Sequence, residues 1–186
     1  MYTAMTMTYG NTVAALASVF EGLREDNLPD VLSKGGVGTI LLANALSHTI
    51  MEGGRYSDKG ADGFGENDEN FEYKVSKEVK PQFNFNFGGR HQDSVGPNGE
   101  SCEYTEQTIR EHFGGIVGAI CAVRNGHIIT KAIFCPTDPL VDNLIIHFQT
   151  HAANSLVKNF SFPPILAIDG AVDITDSLYT GRSYSP

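Results

Sequence analysis

A chain of 186 residues has the length of one compact domain, and 41% apolar with 19% charged residues provides for a buried core. That excludes a wholly disordered or coiled-coil protein. The balance of 13 basic against 22 acidic side chains gives a net charge of −9, which excludes a basic coat over the whole surface. It leaves room for a small basic cleft, or for acidic residues whose task is to hold metal ions.

No run approaches about 18 consecutive apolar residues, so no membrane-spanning helix is expected. The apolar run at 13–20 has no basic segment before it and leads into Glu21, Arg24, Glu25 and Asp26, which does not resemble a signal peptide. Cys102, Cys121 and Cys135 form no CxxC pair, so free thiols in a reducing cytoplasm are the plain reading. A single domain is expected over 1–186, with its core at about 33–170 and a frayed tail at 177–186.

In chain order, residues 12–25 place Val13, Leu16, Ala17, Phe20 and Leu23 at helical spacing. A second helix is predicted from Val37 to Glu52, closed by Gly53-Gly54. The acid- and glycine-rich stretch GADGFGENDEN then meets the alternating FEYKVS, and together they read as a hairpin. QFNFNF alternates strictly, with Phe83, Phe85 and Phe87 on one face and Gln82, Asn84 and Asn86 on the other. A loop is predicted at 88–101 and a helical patch at 103–113. The clearest hairpin follows: strands at 115–123 and 127–135 around Asn125-Gly126, a register that sets Cys121 opposite Thr130. The first of these strands is apolar almost throughout, as expected for burial on both faces. A third helix is predicted from Asp138, with Pro139 at its first position, and ILAID reads as a last short strand. The order is that of a mixed α/β protein.

The chemistry concentrates in the first hairpin. Glu72 and Lys74 lie two apart on a strand and so share a face. If the preceding segment folds back, Asp62 comes beside Glu72, and two carboxylates converge with an ammonium group. Paired carboxylates repel; a hard dication such as Mg²⁺, which takes carboxylate and phosphate oxygens, resolves this. Such a site polarises a phosphodiester and acidifies a bound water, with Lys74 orienting the water or neutralising charge on phosphorus.

GADGF followed by FEYKVS, preceded by a helix opening at SKGGVG, resembles the PD-(D/E)xK nuclease superfamily, and within it the small type II restriction endonucleases. The local likeness covers about residues 33–80, and a looser likeness of element order reaches about 168. It implies a restriction-endonuclease-like αβββαβ core, a mixed central sheet flanked by helices. It implies Asp62 and Glu72 as metal ligands with the backbone carbonyl of Tyr73 as a third, Lys74 as the catalytic lysine, and Mg²⁺, or Mn²⁺ in its place, as cofactor. It further implies double-stranded DNA as partner, a homodimer, and the cytoplasm of a bacterial or phage-infected cell. Ala61 stands where the family has proline, and Glu52, at the end of the predicted helix, is the acidic residue available as a second metal ligand. A junction resolvase or nicking nuclease would share this site. A non-catalytic interaction protein would carry the same residues as a solvated acidic hairpin, since Glu66, Asp68 and Glu69 also lie there.

DNA-contacting candidates lie around the hairpin. Gln82, Asn84 and Asn86, followed by Arg90, His91 and Gln92, suit base edges and phosphate; Lys77 and Lys80 continue from the ExK strand. Each has a plain alternative as an amphipathic strand, a loop or solvated lysines. His147 and His151 have a zinc-compatible spacing but no HExxH motif, and read as half-buried structural histidines. No GxGxxG, P-loop or GxSxG elbow is present.

Overall fold

A computed structural model describes residues 36–50, 61–86, 106–151 and 157–186. The expected helix at 12–25, the loop at 88–101, Glu52, Arg90, His91 and Gln92 lie outside the described residues.

Helix α1 spans Gly36–Leu46, followed by strands β1 (Thr49–Ile50), β2 (Gly63–Phe64), β3 (Asn70–Lys77) and β4 (Phe83–Asn86). Then come α2 (Glu106–His112), β5 (Ile116–Asn125), β6 (Ile128–Pro136) and α3 (Thr137–His151). The described chain ends with β7 (Val157–Phe160), α4 (Phe162–Leu166), β8 (Val172–Asp173) and a 3₁₀ turn at Thr175–Ser177. Among the described residues, six strands form one sheet in the order β1-β2-β3-β5-β6-β8. Only β3 and β5 are parallel; the other neighbours are antiparallel. A parallel pair needs a crossover, and here β4 and α2 lie within it. β4 and β7 make a separate antiparallel ribbon. The architecture is mixed α/β, and among the described residues no helix is long and apolar enough to cross a membrane.

The sheet is buried on both faces. One face carries Phe71, Tyr73, Ile120, Ala122 and Phe134 under Leu42, Ala45 and Leu46 of α1. Gly38 permits this approach, because a Cβ there would meet the Cβ of Val75 at 2.8 Å. The other face carries Ala119, Cys121, Ile133 and Cys135 against Leu140 and Leu144 of α3, with Phe83, Phe85 and Phe160 of the ribbon. Alternation along β3 therefore sends Phe71 and Tyr73 to the α1 side, and Glu72 and Lys74 to the other.

Several expectations need correction. α1 stops at Leu46 rather than Glu52. Ser47 takes φ 55°, and the Ser47 and His48 amides donate to the carbonyls of Asn44 and Ala43 at 3.3 and 2.9 Å. This is a Schellman ending built on serine instead of glycine. In the second hairpin the loop is Gly126-His127, glycine first, with Asn125 facing Ile128. A further register shift at Val123/Arg124 puts Cys121 opposite Ile133, not Thr130, and Cys135 opposite Ala119. ILAID is no strand: Phe162–Leu166 is helical, with Pro163 and Pro164 where missing N–H groups do least harm. The tail is not frayed. Tyr184 packs on the α1-side core, and the Tyr179 hydroxyl accepts the Ile129 amide at 2.7 Å.

Candidate active site

The β2–β3 hairpin pairs Gly63 with Phe71 and Phe64 with Asn70. A five-residue loop at 65–69 closes it, with Gly65 N–H donating to the Glu69 carbonyl at 2.9 Å. One residue before β2, the Asp62 amide donates to the Phe71 carbonyl at 2.7 Å, and the Tyr73 amide donates to Asp62 Oδ2 at 2.7 Å. Here β2 parts from β3, and the Asp62 carboxylate takes the place of the next ladder partner. The N–H and C=O of one strand residue point to the same strand edge. The Tyr73 carbonyl therefore opens onto the edge where Asp62 sits.

On the sheet face, Lys74 Nζ donates to Glu72 Oε1 in a close ion pair; the two side chains are 24% and 8% exposed. Lys74 also lies over the Phe85 ring, 5.5 Å from its centroid. Cys121 is in register with Lys74 on the neighbouring strand and is fully buried. The ammonium is thus enclosed by an acid, an aromatic face and a thiol.

This enclosure sets the protonation states. Burial pushes the Asp62 carboxyl up to about 7, with Glu72 adding to the rise; Lys74 and the Tyr73 amide oppose it. Burial works against the Lys74 ammonium, but Glu72 and Asp62 outweigh it and hold its pKa above the ordinary value. At neutral pH, then, Asp62 stands near half-protonation beside the Lys74 ammonium, which Glu72 binds. Burial raises both thiols, Cys121 far and Cys135 to about 12, so neither is a ready nucleophile.

A hard dication suits this donor set. Asp62 and Glu72 supply carboxylate oxygens, and the Tyr73 carbonyl lies on the same edge; Mg²⁺ needs few protein ligands because it retains waters. A cation there would offset the burial and the Glu72 repulsion that work against the Asp62 carboxylate. Among the described residues no group of three or more His, Cys, Asp or Glu converges, so two carboxylates are what these residues offer. The cleft of about 530 Å³ lined by Arg110, Ile116, Thr137 and Asp138 contains none of the three site residues.

The sequence-predicted residues divide clearly. Asp62, Glu72, Tyr73 and Lys74 come together. Lys77 ends the same strand, in register with Arg124 of β5, Lys80 lies three residues beyond it, and both are exposed. β4 points Phe83 and Phe85 into the core and turns Asn84 out to solvent, away from Lys74; Gln82, just before the strand, is also exposed. Asn86 ends β4. Three neighbours escape sequence reasoning: Phe85 beneath Lys74, Cys121 beside it, and His48 behind Tyr73. The one available signal was parity, because Tyr73 between Glu72 and Lys74 must point to the opposite face.

No known family model matches the chain, and a search of curated proteins finds none similar to it in sequence.

Proposed function

We propose that this protein is a metal-dependent endodeoxyribonuclease of the PD-(D/E)xK type, acting on double-stranded DNA as a restriction-type enzyme and working as a homodimer in the cytoplasm. The observation that carries the reading is the convergence of Asp62, Glu72 and Lys74 where β2 parts from β3. Element order supports it: helix α1, the three strands β1-β2-β3 in meander, a crossover containing α2, and β5 parallel to β3.

Each residue has a task that follows from its surroundings. Asp62 and Glu72 would hold Mg²⁺ or Mn²⁺ together with the Tyr73 carbonyl. When bound, the ion supplies polarisation of the phosphodiester and acidification of a water. Tyr73 N–H fixes Oδ2 of Asp62, so the carboxylate is oriented before any ligand arrives. Lys74, held in its charged form, serves as a donor to the attacking water or to the developing oxyanion, not as a general base. Lys77 and Lys80, exposed beyond it, are placed to meet phosphates.

The test is incubation of the purified protein with supercoiled plasmid and Mg²⁺. Discrete double-strand fragments support the restriction reading. Nicking alone points to a nicking or resolvase activity of the same site. No cleavage with any divalent metal favours a non-catalytic interaction protein. Lys74→Ala should abolish cutting while the circular dichroism spectrum is unchanged, and full retained activity would overturn the assigned site.

A further inference from the structure

Resting on that reading of the site, we infer that the C-terminal strap, residues 178–186, is a brace that positions the metal-holding edge of β3 through His48 and Tyr73. Tyr73 lies between Glu72 and Lys74 in sequence, and its backbone amide holds Asp62 Oδ2 at 2.7 Å. Its side chain crosses to the α1 face, where its hydroxyl meets His48 Nδ1 at 2.6 Å. His48 Nε2 in turn lies 2.9 Å from the Tyr184 carbonyl. A carbonyl only accepts, so Nε2 carries the proton; in the neutral ring Nδ1 then accepts from the Tyr73 hydroxyl. The chain of bonds runs in one sense, from the ExK strand to the strap.

The strap is itself tied to the elements that flank Asp62. The Tyr179 amide donates to the Ala45 carbonyl at 2.6 Å, and the Tyr184 amide to the Leu46 carbonyl at 3.2 Å, both at the end of α1. The Ser185 hydroxyl donates to Glu69 at the β2–β3 turn. His48 is buried and stacks on Phe71 with centroids 4.8 Å apart. The Tyr73 hydroxyl lies close against Gly63, where any Cβ would collide with it. Packing alone would need only the rings. The directional donor–acceptor chain also fixes the rotation of Tyr73, and with it the peptide that aims Asp62 and presents the carbonyl. Tyr73 and His48 are thus positioning residues, on the face opposite the chemistry.

The experiment compares the full chain with Tyr73→Phe and with a chain ending at Ser183. It measures plasmid-cleavage kinetics with Mg²⁺ and amide hydrogen exchange along β3. Loss of such supporting partners typically lowers activity about 10–100-fold. That loss should fall on kcat, with KM for DNA unchanged and the Tyr73 amide exchanging faster while its neighbours bonded to β5 keep their protection. Unchanged exchange at Tyr73 in both variants, or an effect confined to KM, would overturn the brace. If the unaltered protein cuts no DNA, the nuclease reading fails, and the exchange rates alone still decide the brace.

Discussion

Replacing Asp62 with asparagine isolates what the site does to the stability of the metal-free protein. The Asp62 carboxyl moves from an ordinary 3.8 to about 7 on folding. Between those values the native chain keeps a proton that the unfolded chain has released, so the native state binds more protons. Stability therefore falls as pH rises, by about 1.4 kcal/mol per pH unit, and levels off above the folded pKa. Over the roughly three-unit window the ceiling is about 4 kcal/mol. Asparagine forfeits part of the bonding to the Tyr73 amide, so about 2 kcal/mol of relief is expected in Asp62→Asn at pH 8. For a chain of this length that is a rise in Tm of about 4–8 °C over the unaltered protein. At pH 4 the relief should be gone, leaving Asp62→Asn slightly the less stable by that lost bonding. The assay is thermal unfolding in EDTA from pH 4 to 9. Adding Mg²⁺ at pH 8 should raise the Tm of the unaltered protein and leave that of Asp62→Asn where it was, by preferential binding to the native state. Parallel stability profiles for the two proteins across the whole pH range would refute the reasoning.

Other substitutions probe the scaffold and the DNA contact. Gly63→Ala drives a methyl group against the Tyr73 hydroxyl and should destabilise by about 1–3 kcal/mol in urea unfolding. Tyr179→Phe leaves the buried-side Ile129 amide without its hydroxyl acceptor and should cost about 1–2 kcal/mol by the same measurement, an effect a frayed tail would not produce. Lys77→Ala with Lys80→Ala should weaken DNA binding across sequences and flatten its dependence on salt by roughly one to two counterions, read from Kd at several ionic strengths. An unchanged slope would remove both lysines from the interface.

How far the fold could be read ahead depended on the range of the interactions. FEYKVS announces itself, because alternation over six residues and a nearby turn are local facts; the meeting of Asp62 with Glu72 follows from them. QFNFNF was equally legible as a strand, yet nothing in it says that its partner is Val157–Phe160, far along the chain, rather than the main sheet. The end of α1 is hidden in the sequence because serine is a rare occupant of the left-handed position, and the glycine pair downstream is the stronger signal. The register of β5 and β6 depends on an irregularity at Val123/Arg124 that no residue type marks. The tail carries no periodicity at all. Tyr179, Tyr184 and Ser185 act singly, each on a distant partner, and such contacts leave no local trace.

The parting of β2 from β3 has a consequence outside chemistry. Among the described residues, β3 from Tyr73 onward has no strand beside it on that edge, the kind of bare ladder on which chains stack into aggregates. Asp62 plugs the first vacancy with its own carboxylate, and the charged pair beside it makes docking of a foreign strand costly in lost hydration. The same three side chains that make the edge reactive therefore keep it solitary, and a variant stripped of them would be expected to lose solubility along with its site.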